Sequence, residues 1–332
     1  MKTQYIFAIF TIFIFSITVL VLKTVIPRLI SIGAGQKILS IGPKWHSSKE
    51  GTPTMGGIAF IVAGLIAALL FLLLFGSYIE STDIIIFINV IIFGILNALI
   101  GVIDDIAKIR KKQNEGLTPK AKFLLQSIFS IIFLLLVNFS VGLNTEFYIP
   151  FFNIELDLGF FYYLLAYIVL IGVVNSVNLT DGIDGLASSV VFTVGLMFSF
   201  AGIVLIEKYT VTFMGALLVG SSLGFLVYNF YPARIFMGDT GSLYLGGIVA
   251  SASLMLGNLF LSLIYGFVFV MEAFSDILQV FYYKLTKGKR IFKMAPLHHH
   301  FEKSGWSEIK IVLIFSLLNM IFCTIAYFGI RL

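Results

Sequence analysis

Apolar windows of about 20 residues, separated by short polar breaks, recur along the whole chain. A helix needs roughly 20 apolar residues to cross a hydrocarbon core. That rule predicts ten spans, near residues 5–26, 54–75, 83–103, 120–141, 159–177, 185–206, 211–230, 240–256, 259–283 and 308–330. An even number of spans returns both termini to the same side. Between the fourth and fifth spans, residues 142–158 alternate in polarity and carry Tyr148, Pro150, Phe151 and Phe152, which predicts a short hairpin at the membrane interface. The expected fold class is therefore an all-α polytopic membrane protein of about ten transmembrane helices, organised as a single domain over residues 1–332. The inverted repeat of many transporters is not evident.

Composition sharpens this picture. Hydrophobic residues make up 59% of the chain and charged residues 12%, against about 25% charged in soluble domains, so lipid is the solvent. The first window is too long for a signal-peptide core and lacks a small-residue cleavage pattern, so it reads as a retained span. Cys323, the single cysteine, lies in an apolar run and reads as a core residue. Of the 22 basic residues, 18 fall in breaks on one side, while Glu80, Asp83, Glu146, Glu155, Asp157 and Glu207 gather on the other. The basic side is then cytoplasmic and both termini lie outside. The net charge of +5 reflects this topology and an attraction to lipid head groups and phosphates, and no motif supports a nucleic-acid partner.

Five aspartates break the charge pattern by sitting on the basic side. Asp104 and Asp105 close the third span, Asp181 and Asp184 link the fifth and sixth, and Asp239 precedes the eighth in Phe236-Met-Gly-Asp-Thr-Gly-Ser. A helix cap accounts for Asp239 before Thr240. Capping does not account for Asp104 and Asp105, because a helix C-terminus disfavours negative charge and adjacent carboxylates repel. A divalent cation relieves both penalties, and magnesium suits a few carboxylates plus phosphate oxygens. Helix starts at Thr52-Pro53, Thr118-Pro119, Asp184-Gly185 and Gly238-Asp239 point their positive dipole ends at the same side.

Residues 298–300 are three consecutive histidines in the last basic loop. Neighbouring imidazoles do not readily share one zinc ion, so donation to phosphate or sugar oxygens is the better functional reading. Glu272 and Asp276, one turn apart in the ninth span, read as structural or supporting carboxylates.

Taken together, these motifs resemble the polyprenyl-phosphate N-acetylhexosamine-1-phosphate transferases, and within them the muramoyl-pentapeptide branch. The resemblance rests on His46-Ser-Ser-Lys49-Glu-Gly-Thr52-Pro53-Thr54-Met-Gly-Gly57, Asp104-Asp105 with Lys108, Asn178-Leu-Thr-Asp181-Gly-Ile-Asp184-Gly-Leu, Asn229 with Phe236-Met-Gly-Asp239, and Ala295-Pro-Leu-His298-His299-His300-Phe-Glu302. It implies transfer of phospho-MurNAc-pentapeptide from UDP-MurNAc-pentapeptide to undecaprenyl phosphate, giving lipid I and UMP in peptidoglycan synthesis. It further implies Mg2+, a homodimer in the bacterial cytoplasmic membrane, a cytoplasmic cleft and susceptibility to nucleoside inhibitors. By resemblance, Asp239 is the magnesium ligand, and Asp104 and Asp105 lie beside the lipid phosphate. Lys49, Asp184, Asn229 and Phe236 match a uridine pocket in which Phe236 stacks on uracil. Thr54, Lys108, Lys122, Asn178, Asp181, His298, His299 and His300 occupy further motif positions. The GlcNAc-1-phosphate branch is the alternative within the family. A lipid-phosphate transporter is the alternative outside it, set against inner helix ends because transport sites usually lie near the midplane.

Overall fold

The computed structural model describes residues 3–35, 49–111, 115–152 and 154–330. The His46-Ser-Ser part of the first motif lies outside the described residues.

Helices form at each expected window: α1 (Thr3–Ser31), α2 (Ile58–Phe75), α3 (Ser81–Lys111), α4 (Pro119–Val141), α5 (Phe160–Thr180), α6 (Leu186–Phe200), α7 (Tyr209–Asn229), α8 (Gly238–Ala252), α9 (Leu261–Tyr265), α10 (Phe267–Leu285), and, after the short α11 (Leu297–Glu302), α12 (Glu308–Phe328). Among the described residues, eight helical stretches are long and apolar enough to cross a membrane. The eighth and ninth windows are filled by shorter pieces. Helix α8 ends in a 3-10 turn at Ser253–Leu256, and the ninth is divided at Gly266 into α9 and α10. Backbone groups freed by a break in an apolar setting must be satisfied inside the protein. Asn319 of α12 does this, donating to the Tyr265 carbonyl (3.0 Å) and to Thr193 Oγ1 (2.8 Å) and accepting from the Val268 N–H (3.2 Å).

The predicted hairpin is present as β1 (Glu146–Ile149) and β2 (Ile154–Asp157), paired antiparallel from Glu146↔Asp157 to Ile149↔Ile154. Asn258 ties it down by donating to the Tyr148 carbonyl at 3.0 Å. The Thr145 hydroxyl and the Gly159 N–H both donate to Asp157, holding its carboxyl below the usual range.

Helices α7 and α8 form the centre. Every residue of α8 from Thr240 to Ala252 is buried, and α8 packs against α3 and α5. Small residues permit this approach: a side chain on Gly246 would meet the Val174 backbone, and one on Gly247 would meet Gly94. The outer helices α1, α4 and α12 turn Ile12, Leu20, Leu124, Phe139, Leu317 and Ile321 outward, as a lipid-facing surface requires.

Three sequence expectations need correction. Helix α3 continues to Lys111, so Asp104 and Asp105 lie about two turns inside it rather than at its end; the basic Lys108, Arg110 and Lys111 suit the C-terminal dipole and carry the helix past the apolar run. Helix α2 begins at Ile58 after Gly57, so Thr52-Pro53 is not its start. Pro53 instead pairs with Gly35 and accepts from the Phe236 N–H. The histidine triplet is helical, not a loop, and forms half of α11. Thr118-Pro119 behaves as expected: the Thr118 hydroxyl accepts from the Ala121 N–H, with Pro119 leading α4.

Candidate active site

Packing of α3 against the start of α8 assembles a charged cluster. Asp104 and Asp105 come from α3, Asp239 from the first turn of α8, Lys108 from α3 one turn after Asp104, and Lys122 from the first turn of α4. One oxygen from each of the three carboxylates lies within 4.8 Å of the others. Lys108 Nζ is 2.7 Å from Asp104 and 3.3 Å from Asp239. Lys122 Nζ is 3.0 Å from Asp104 and also pairs with Asp239. Asn178, near the end of α5, donates to Asp239 (3.2 Å) and to Ser242 (2.7 Å). Three carboxylates against two ammonium groups leave one net negative charge in a largely buried place. Such a cluster is costly unless every group is paired, and one further cation would complete the pairing.

The three carboxylates are not equivalent. Asp105 accepts from the Asp239 N–H (3.2 Å), the Thr240 N–H (2.9 Å) and the Thr240 hydroxyl (2.7 Å). It therefore caps α8 from another helix, satisfying N–H groups that a helix start leaves free. This corrects two expectations together: capping does explain Asp105, and Asp239 is not a cap, since Met237 occupies that position. Asp104 accepts from the Leu117 N–H at 2.7 Å, which anchors the loop before α4. Both α3 side chains are sealed off, at 0% and 1% exposure, whereas Asp239 keeps 15%. Asp239 is thus the member of the trio that a dissolved ligand can reach.

Gly101, which sequence reasoning passed over, makes this arrangement possible. It lies one turn before Asp105 on α3, and a Cβ there would overlap the Asp239 carbonyl. Gly101→Ala is expected to push the start of α8 away, cost about 1–3 kcal/mol by overpacking, and lower turnover by about a hundredfold through misplacement of Asp239. Thermal melting and initial-rate measurements on the same preparation check both effects.

A second group surrounds Lys49. Its ammonium lies 2.7 Å from Asp184 and 2.6 Å from Glu308, the first residue of α12. Asp184 also accepts from the Ala233 N–H (2.9 Å), and Glu308 from the Asp184 N–H (2.9 Å). Glu308 was absent from the sequence reading; its signal was an acidic residue after Ser307 at a helix start, a pattern that normally means only a favourable dipole. A cavity of about 300 Å³ opens beside it, lined by Tyr231, Glu302, Trp306, Ser307, Glu308 and Ile309. Asn229 joins this region through the backbone, accepting from the Gly185 N–H and donating to the Ile235 carbonyl, so it latches two loops together. Phe236 is partly exposed, and its backbone pairs with Pro53 and Gly56. Thr54 reaches Gly238, next to the aspartate cluster.

The loop from Asp181 to Asp184 runs between the two groups. The protein packed around Asp181, together with the negative charges of Asp239, Asp105 and Asp184, pushes its carboxyl well above the usual range. The histidines do not converge on one point. His298 is buried against Glu272, His299 pairs with Glu302, and His300 accepts from the Lys293 N–H. Glu272 is therefore explained by its partner.

Known proteins resemble this chain in sequence along most of its length. Residues 87–257 match the Glycosyl transferase family 4, and residues 49–61 match phospho-N-acetylmuramoyl-pentapeptide-transferase signature 1. The chain is 46% identical over 303 residues to the phospho-N-acetylmuramoyl-pentapeptide-transferase of Listeria welshimeri, covering 91% of each protein. It is 46% identical over 306 residues to that of Clostridium acetobutylicum, covering 92% of this chain and 93% of the relative. For the Rickettsia prowazekii protein the figures are 45% over 319 residues, 90% and 85%.

Proposed function

Because the chain belongs to the phospho-N-acetylmuramoyl-pentapeptide-transferase family, we infer that it transfers phospho-MurNAc-pentapeptide from UDP-MurNAc-pentapeptide to undecaprenyl phosphate, forming lipid I and releasing UMP. It is a phospho-sugar transferase and a multi-pass bacterial membrane protein. The observation that carries the reading is identity of 45–46% along nine tenths of the chain.

Magnesium is the proposed cofactor, and the donor set fits it: three carboxylates converge within ligand distance, one of them open to solvent. Asp239 would hold the ion, with Asp104 and Asp105 beside it. When bound, magnesium supplies charge neutralisation on the diphosphate and stabilises the departing phosphate. The remaining work falls to the side chains. An oxygen of the lipid phosphate attacks the sugar-linked phosphorus of the nucleotide, and the bond to UMP breaks. Lys108 and Lys122, already shared between Asp104 and Asp239, would hold the two polyanions in line. A phosphate monoester has a second pKa of about 6, so it is largely dianionic at neutral pH and needs little base; Asp104 would orient it or take a residual proton. Lys49, Asp184, Asn229 and Phe236 would form the uridine side, with Asn178, Asp181, Thr54 and the histidines completing the substrate contacts. The predominance of basic residues in the same loops supports a cytoplasm-facing site, and the family resemblance supports a homodimer of single-domain protomers and inhibition by nucleoside analogues.

Purified protein in detergent, supplied with undecaprenyl phosphate and Mg2+, is expected to release UMP from UDP-MurNAc-pentapeptide and not from UDP-GlcNAc. Release from UDP-GlcNAc alone would move the protein to the other branch, and substrate movement without UMP release would make it a transporter.

A further inference from the structure

Glu308 is a carboxylate that neither helix capping nor the sequence motifs account for. Ser307 already caps α12, its hydroxyl accepting from the Lys310 N–H at 3.3 Å, and the Glu308 side chain meets other segments. Its Oε2 lies 2.6 Å from Lys49 Nζ and accepts the Asp184 N–H at 2.9 Å. Asp184 in turn lies 2.7 Å from Lys49 Nζ and accepts the Ala233 N–H at 2.9 Å. One oxygen of Glu308 thus ties the start of α12 to the Lys49 segment and to the loop before α6. The group is within reach of a dissolved ligand: Glu308 lines the cavity of about 300 Å³, and the Lys49 and Glu308 side chains keep 14% and 11% exposure.

We propose that Glu308 is a positioning residue for nucleotide binding: it holds the Lys49 ammonium against Asp184 so that the remaining N–H is presented to a neutral carbonyl oxygen of the nucleotide base. The inference rests on the reading that places uridine beside Lys49, and adds the start of α12 to that site. A lysine ammonium has three N–H donors; Asp184 and Glu308 take two, which leaves one. An ammonium between two carboxylates carries one net negative charge as a group, which opposes a phosphate and suits a neutral acceptor. A lysine on a free four-carbon stem loses rotamer freedom when it binds, and two fixed carboxylates remove that cost beforehand.

Glu308→Gln removes the charge and keeps an oxygen for the Asp184 N–H, so the loop and the melting temperature are expected to hold. Charge-assisted hydrogen bonds are roughly twice as strong as neutral ones. Loosening Lys49 is therefore expected to weaken uridine binding about tenfold, read by NMR titration of uridine into the detergent-solubilised protein. KM for UDP-MurNAc-pentapeptide is expected to rise by a similar factor, with kcat at saturation within about twofold of wild type. Lys49→Met is expected to lose uridine affinity at least as far, and the double variant no further than Lys49→Met alone, because Glu308 acts through the lysine. A merely structural defect would weaken the Lys49→Met background as well. Unchanged uridine affinity in Glu308→Gln, a fall confined to kcat, or losses that multiply in the double variant overturns the proposal. Unchanged uridine affinity in Lys49→Met also removes the uridine placement beneath it, whereas wild-type protein that binds uridine but releases no UMP would refute the transferase reading and leave Glu308 its role.

Discussion

Asp239→Asn is expected to lower UMP release by about a thousandfold or more, since metal-based charge stabilisation contributes several kcal/mol to such transfers and each 1.36 kcal/mol is tenfold in rate. The substitution conserves shape but removes the one cluster carboxylate with a face open to solvent. Helix α8 should still form, because its N–H groups are satisfied by Asp105 and not by Asp239. The variant is therefore expected to melt near the wild-type temperature while losing its response to added Mg2+. Rates measured across a magnesium titration, alongside thermal melting, provide the check. Wild-type turnover with an unaltered magnesium dependence would remove Asp239 from its assigned role.

Asp104→Asn is expected to lower turnover by about a hundredfold or more while leaving nucleotide binding close to normal. Asn can still accept the Leu117 N–H, so the loop before α4 stays anchored. What it loses is the charge that Lys108 and Lys122 now divide between Asp104 and Asp239. Both lysines would then turn toward Asp239, and the lipid phosphate would lose its orienting partner. The group proposed for the nucleotide, in which Lys49 pairs with Asp184 and Glu308, shares no side chain with Asp104. Calorimetric titration with UDP-MurNAc-pentapeptide should accordingly give an affinity like that of the wild type, and full activity in this variant would sink the assignment.

These two aspartates also differ from Asp105, and the distinction could not be read along the chain. Adjacent aspartates in a helix look alike in sequence, but their side chains leave the helix about 100° apart. One turns toward the lysines and the loop before α4, the other toward the amides of α8. The expected penalty from a helix C-terminus proved misplaced for the same kind of reason: apolarity stops near residue 103, but helical hydrogen bonding continues through a polar, basic turn. The histidine triplet likewise looked like one unit and serves three different partners, because consecutive residues on a helix face different directions.

The sequence by itself determined that the chain crosses a membrane repeatedly, because hydrocarbon admits only long apolar helices, and that acidic motifs gather on its basic side. It also determined the short hairpin, through alternation and turn residues. Tertiary structure alone decided which polar groups meet. Asp105 reaches Thr240 across 135 positions, Lys49 reaches Glu308 across 259, and Glu272 reaches His298 across 26. Periodicity reports only how a segment meets its solvent. The partners of a buried charge are chosen by how closely helices approach, and here that depends on glycines such as Gly101 and Gly182, whose missing side chains are invisible to any apolar pattern. The aspartates were therefore legible from the sequence as a cluster, while their separate duties emerged only when α8 was seen packed against α3.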